Sequence, residues 1–201
     1  MKKYKNIVFD VGGVLLEYRW RDMLTVDYNM DPSYVETFAD HMFDNDLWNE
    51  LDLANMSLSE VVEAYVERYP QDEAAIRWFM GHNELMSVAR PKVWEEVKHL
   101  KKEGYHIYLL SNYNKEFLDN HTRGASFWEA VDGQVISYEV HAIKPYPPIY
   151  KALFDRYHLK PKECLFFDDR ADNVEGSKAV GMDAIRVLSQ EQLIEEIRKL
   201  L

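Results

Sequence analysis

Four short apolar runs, with helical patterns spaced between them, constrain this chain more than any other feature. Asn6–Phe9 reads NIVF and runs into Asp10 and then Val11-Gly12-Gly13-Val14. Tyr105–Leu110 (YHIYLL) is closed by Ser111-Asn112, Cys164–Phe167 (CLFF) by Asp168-Asp169, and Ala184–Leu188 (AIRVL) is the fourth. Apolar runs of this length without alternation are what strands buried on both faces require. Pro91 sits where a first-turn proline belongs. Val93, Trp94, Val97 and Leu100 follow on one helical face, and Gly104 supplies the stop. Pro147–Tyr157, Asn173–Val180 and Gln190–Leu201 carry similar patterns. Strands alternating with helices predict an α/β chain with a parallel sheet. Val135-Ile136 is a further candidate strand.

Arg19 to Ala89 reads differently. Pro32–Phe43, Ser57–Tyr69 and Asp72–Met86 are predicted amphipathic helices, and no strand pattern stands out. Ser57 with Glu60 three residues later fits a capping box, and Leu58, Val61, Val62, Tyr65 and Val66 make an apolar stripe. A helical block placed after the first strand of an α/β chain is expected to be an inserted cap. Its aromatics Trp20, Tyr28, Phe43, Trp48 and Trp78 read as bundle core. Trp48 is the one expected to face a ligand, because Asp46, Asn49, Glu50 and Asp52 surround it with polar partners.

Composition narrows the function. The 201 residues hold 24 Lys+Arg against 35 Asp+Glu, a net charge of −11. That excess of acid argues against nucleic acid or an anionic membrane as partner, since both demand a basic face. Cys164 is the sole cysteine, so no internal disulfide can form; it reads as a small buried hydrophobe. The basic start MKKYKNIVFD is cut by Asp10 and does not read as a signal peptide. A cytoplasmic protein is expected, with monomer and homodimer equally open. His41, His82, His99, His106, His121, His141 and His158 show no ligand spacing and read as structural or surface residues.

Asp10, Ser111, Lys144 and Asp168-Asp169 all fall at or beyond predicted strand ends. In an open parallel sheet those ends line one crevice, where ligands bind. Clustered carboxylates repel unless a cation sits between them, and all-oxygen ligands suit Mg²⁺. A hydroxyl and an ammonium suit phosphate oxygens. The N–H groups of Gly12 and Gly13 can approach an anion closely because no Cβ intervenes.

The series FDVGGVLL, LLSN, IKP and FFDDRADN, in that order, resembles the haloacid dehalogenase (HAD) superfamily over essentially the whole chain. Within it, the chain is similar to the α-D-glucose-1-phosphate phosphatase-like subgroup. The resemblance implies a Rossmann-like doubly wound core at 1–16 and 90–201 and an α-helical cap at 17–89. It implies a Mg²⁺-dependent phosphatase acting on a small phosphorylated metabolite, such as a sugar phosphate. Asp10 matches the nucleophile that becomes an aspartyl-phosphate. Ser111, with the backbone at Asn112, matches the phosphate-holding position, and Lys144 the lysine that neutralises charge. Asp10, Gly12 through its carbonyl, and Asp169 match the metal ligands, with Asp168 and Asn173 in support. Gly12, Gly13, Ser111, Asn112 and Lys144 form the implied phosphate cradle, and Trp48, Glu50 and Asp52 are the cap candidates for substrate contact.

One departure bears on mechanism. The family's usual first motif has a second aspartate two residues after the nucleophile, serving as general acid and base. Here that residue is Gly12, which cannot move a proton. General acid–base help is worth roughly 10²–10⁴-fold. Glu17, Glu50 and Asp52 are candidate substitutes. The alternative is a non-catalytic phosphometabolite-binding or regulatory protein that has kept the pocket and lost turnover.

Overall fold

A computed structural model describes residues 3–43 and 46–201; Met1, Lys2, Asp44 and Asn45, which fall within the predicted segments, lie outside the described residues. Its strands are β1 (Asn6–Phe9), β2 (Leu16–Tyr18), β3 (Ser87–Ala89), β4 (His106–Ser111), β5 (Gly133–Ile136), β6 (Cys164–Asp168) and β7 (Asp183–Arg186). Five of them form a parallel sheet in the order β5-β4-β1-β6-β7, with β1 at its centre. Phe9 sits level with Leu109 on one side and Phe167 on the other. The predicted parallel α/β fold is therefore present.

Alternation along the central strands divides the core into two layers. Ile7, Phe9, Ile107, Leu109, Leu165 and Phe167 join Val93, Val97, Leu193 and Ile197 of the helices Pro91–Lys102 and Gln190–Arg198. Val8, Tyr108, Leu110 and Phe166 point the other way, onto Ile149, Tyr150 and Leu153 of the helix Pro147–Tyr157. Helices thus cover both faces, which is why β1 is wholly buried and reads as a continuous apolar run.

The intervening block contains helices Val35–Phe43, Asp46–Asp52, Leu58–Arg68 and Glu73–Gly81. The capping box forms as predicted: Ser57 accepts from the Glu60 N–H, and the Glu60 carboxylate accepts from the Ser57 N–H. The predicted helix Asp72–Met86 is corrected. It ends at Gly81, and a short 3₁₀ turn at Asn83–Leu85 follows. The seven-residue helix Asp46–Asp52 was not expected, nor was the antiparallel ladder that pairs β2 with β3. That ladder sets Leu16 against Ala89, Glu17 against Val88 and Tyr18 against Ser87, so the two crossings of the chain into the helical block are tied together.

Candidate active site

Asp10 follows β1 directly. Its N–H still donates to the Phe167 carbonyl at 2.9 Å, so the sheet fixes its backbone. The side chain turns into a cavity of about 360 Å³ above the carboxyl ends of the strands. Oδ1 accepts from Ser111 Oγ at 2.5 Å and from the Val11 N–H at 2.8 Å. Oδ2 lies 2.9 Å from Lys144 Nζ. The carboxylate plane is thus held from both oxygens.

Lys144 is buried and reaches a second carboxylate, Asp168 Oδ2, at 2.6 Å. Its backbone is clamped by the Asn112 amide, which accepts from Lys144 N at 2.8 Å and donates to Lys144 O at 3.0 Å. The Asn112 side chain is therefore fixed in orientation, and its backbone N–H is a further group that can hold an anion. Asp168 is further engaged by the Arg170 N–H at 2.8 Å and by Asn173 Nδ2 at 3.0 and 3.1 Å. The Asn173 Oδ1, in contrast, is buried and finds no donor.

Asp10, Asp168 and Asp169 bring carboxylate oxygens within 4.8 Å of one another, and among the described residues no other acidic or histidine group clusters so closely. Burial pushes the Asp10 carboxyl up to about 7, with Asp168 and Asp169 adding to the rise and Lys144 and Ser111 opposing it. Asp169 is raised too, by burial first and Asp168 second. Burial alone would pull Lys144 down; Asp10 and Asp168 outweigh it and hold the ammonium charged. Three carboxylates share one ammonium, so the residues present fit a divalent cation.

Two glycines sit in close contact with this packing, and the backbone conformation of Gly13 favours glycine as well. Gly13 has φ +70°, and a Cβ there would stand 2.6 Å from Asp169 Cγ. At Gly12 a Cβ would stand 2.1 Å from Tyr18 Oη.

The roof comes from the helical block and the helix Lys115–His121. Trp20, Phe43, Trp48 and Phe117 line one wall as a chain of tilted and edge contacts, with centroids 5.5, 5.0 and 6.0 Å apart in succession. Asn49 and Asp52 add polar groups. The Asp52 carboxyl is buried and pushed up to about 7 by that burial and then by Asp10, while the Asn114 N–H opposes the rise.

The family model for haloacid dehalogenase-like hydrolases matches residues 4–181. The chain belongs to that family. It is similar to D-ribitol-5-phosphate phosphatase of Bacteroides thetaiotaomicron, 24% identical over 90% of this chain and 91% of the relative. It is also similar to phosphatase MT3486 of Mycobacterium tuberculosis, 29% identical over 86% and 71%. In fold it resembles a HAD family enzyme of Bacteroides thetaiotaomicron solved with magnesium and inorganic phosphate. That structure has a TM-score of 0.72 at 20% identity, over 93% of this chain and 96% of the other.

In this HAD-like hydrolase Asp10, Gly12, Ser111, Asn112, Lys144, Asp169 and Asn173 all line the cavity, and so do Trp48 and Asp52. Glu50 does not; its carboxylate accepts from Nδ2 of Asn55, in the turn that follows its helix, at 2.9 Å. Glu17 is turned away as well, paired with the buried Arg90 that also donates to the Gly13 and Val14 carbonyls. Trp20 and Phe43 face the cavity, whereas Tyr28 and Trp78 pack on each other with centroids 4.9 Å apart. Sequence reasoning missed Tyr18, Tyr113 and His121, which also line it. His121, expected to be structural or surface, is a buried member of the wall. Tyr18 meets Tyr113 only across 95 residues, and the step from Tyr113 to His121 matches no metal-ligand or catalytic spacing, so no spacing rule joins the three.

Proposed function

We propose that this hydrolase is a divalent-cation-dependent phosphatase of small phosphorylated sugars or polyols, acting through an aspartyl-phosphate on Asp10. One observation carries the reading: the Asp10 carboxylate lies in contact with both Ser111 Oγ and Lys144 Nζ at the floor of a cavity that Asp169 also lines, with the buried Asp168 completing a cluster of three carboxylates. Phosphoryl transfer depends mainly on positioning and charge stabilisation, and this arrangement supplies both. Asp10, Asp169 and the Gly12 carbonyl would hold Mg²⁺, which would neutralise charge on the phosphoryl oxygens. The buried Asn173 Oδ1 supports the fit, because ordered water around such an ion is the donor it lacks.

In the first half-reaction an Asp10 oxygen forms a bond to phosphorus as the ester P–O bond breaks. Lys144 and Ser111 orient the attacking carboxylate, and Lys144 also offsets the charge brought in by the phosphoryl group. In the second, water attacks phosphorus and releases Asp10. The residues 17–89 act as the cap. Trp20, Phe43 and Trp48 present apolar faces to a carbon chain, while Asn49 and Asp52 offer partners for its hydroxyls. A cavity of about 360 Å³ lies at the small end of the ligand-pocket range, which favours a metabolite-sized ester. The activity printed for the ribitol-phosphate relative points the same way. The test is phosphate release from a panel of sugar and polyol phosphates with Mg²⁺. Turnover abolished by Asp10→Asn supports the reading; no release above that variant from any ester rejects it.

A further inference from the structure

We infer that Tyr18 performs the proton transfer that the glycine at position 12 cannot, and that Tyr113 and His121 form a relay behind it. The inference rests on the phosphatase reading above. It starts from a coincidence of volume: the Tyr18 hydroxyl stands 2.1 Å from where a side chain at Gly12 would begin. The place an acid would enter is already taken by another proton-bearing group, delivered from β2.

That hydroxyl is the first member of a directed chain. Tyr18 Oη donates to Tyr113 Oη at 2.6 Å, Tyr113 Oη lies 2.8 Å from His121 Nδ1, and His121 Nε2 lies 2.8 Å from the Asn83 carbonyl. A carbonyl only accepts, so Nε2 carries a proton. In the neutral ring Nδ1 then accepts from Tyr113, whose oxygen in turn accepts from Tyr18. Every bond points from Tyr18 toward His121 along the cavity wall. Among the described residues the Tyr18 hydroxyl bonds to Tyr113 alone, leaving lone pairs on the cavity side.

The proton balance closes over one turnover. The loaded relay carries its extra proton on His121 Nδ1. As Asp10 bonds to phosphorus and the ester P–O bond breaks, the leaving oxygen takes the Tyr18 proton. Tyr113 replaces that proton, and His121 Nδ1 replaces the one Tyr113 gave. In the second half-reaction water bonds to phosphorus, the aspartyl O–P bond breaks, and the water proton enters at Tyr18. Tyr18 and Tyr113 each pass one proton on, and Nδ1 is reloaded. The hydrogen-bond pattern described above is the unloaded half of this cycle. Burial pulls the His121 ring below its ordinary value and raises the Tyr18 and Tyr113 hydroxyls above theirs, so the neutral, unloaded pattern is the resting one. Tyr18 touches the leaving group; Tyr113 and His121 act through it as positioning residues.

Asp52 is the competing proton donor, since it lines the same cavity. The two are separated by the leaving group. An alkyl phosphate needs a proton on its departing oxygen, whereas p-nitrophenyl phosphate departs as a stable phenolate. The full chain with Mg²⁺ is assayed on both, using glycerol 3-phosphate or the best polyol phosphate of the panel as the alkyl ester. Tyr18→Phe keeps the ring and is expected to lower kcat for the alkyl ester by about 10²-fold, with a loss at least ten times smaller for the aryl ester. Tyr113→Phe leaves the Tyr18 hydroxyl in place, cuts the chain behind it, and is expected to show the same bias. Asp52→Asn is expected to hurt both esters equally. Equal losses on both esters in Tyr18→Phe and Tyr113→Phe, or a bias toward the alkyl ester in Asp52→Asn alone, overturns the relay. In either case loss of all turnover in Asp10→Asn leaves the phosphatase reading standing. Turnover undiminished in Asp10→Asn removes that reading and the relay with it.

Discussion

The floor and the roof of this candidate active site are built on different principles. The floor is made of strand ends: Asp10, Ser111 and Asp168 extend directly from β1, β4 and β6, and the ladder that pairs these strands sets their spacing. Asp10, Ser111, Lys144 and Asp168 are each held by at least one other polar group, down to the amide clamp of Asn112 on Lys144. The roof is made of side chains from helices, turns and the β2–β3 ladder, which meet through aromatic edges and a hydroxyl–imidazole chain. The floor gathers the carboxylates around one ammonium. The roof sets the Tyr18 hydroxyl against Gly12. A division of labour follows: damage to the floor should remove turnover or stability outright, and damage to the roof should redistribute it among substrates.

The largest expected effect tests the floor. Asp10→Asn should lower kcat for every ester by at least about 10⁴-fold, the scale seen when a nucleophile is lost from a group acting as a unit. A residual rate within tenfold of the unaltered protein would break the comparison.

Lys144→Met comes next. It strands the Asp10 and Asp168 carboxylates in a buried site without their cation. Breaking a buried pair this way costs about 3–5 kcal/mol, to be read from urea unfolding of the metal-free protein. A loss below about 1 kcal/mol, the scale of an exposed pair, would mean that the floor is not held by charge.

The metal and pH dependence sharpen the same contrast. Burial pushes the Asp10 carboxyl up to about 7 in the metal-free protein, against about 3.9 in an unfolded chain. Between those values the folded state keeps a proton that the unfolded chain has released. Metal-free stability should therefore fall as pH rises from about 4 to about 7 and level off above. Mg²⁺ must displace that proton, so its affinity should climb about tenfold per pH unit below about 7 and flatten beyond. Calorimetric titration across pH 5–9 would check this, roughly the window those values define; an affinity independent of pH would contradict it.

The smallest expected effect belongs to the roof. Trp48→Ala removes the ring that bridges Phe43 and Phe117. An aromatic contact of this kind is worth about 0.5–1.5 kcal/mol, so KM for a polyol phosphate should rise up to about tenfold, with kcat changed less. A large fall in kcat with KM constant would place Trp48 in the chemistry instead.

The floor was legible because its residues follow from local patterns. Asp10, Ser111 and Asp168 each terminate an apolar run, and a parallel sheet brings such ends together whatever the details of packing. The two-layer core was legible for the same reason: runs such as NIVF and CLFF admit little but a doubly covered strand. Lys144 stands in a loop beyond β5; the sequence groups it with the strand-end residues, and the resemblance to the family gives it its role. The roof was not legible. Tyr18 and Tyr113 are 95 residues apart and meet only because β2 pairs with β3 and a loop follows β4. β2 and β3 themselves have three residues each, too few to show a period. Glu50 and Asp52 are nearly adjacent on one helix, yet Asp52 turns inward while Glu50 bonds to Asn55, a distinction set by how that helix sits on the core.

The central claim is that Asp10 itself becomes phosphorylated, and the direct measurement is acid quenching during turnover followed by peptide mass spectrometry. With Mg²⁺ and a hydrolysed polyol phosphate, the peptide containing Asp10 should carry a phosphoryl group that is lost on treatment with hydroxylamine and absent from Asp10→Asn. Continued phosphate release with that peptide unmodified at every quench time, or a phosphoryl group found on another residue, would contradict the account.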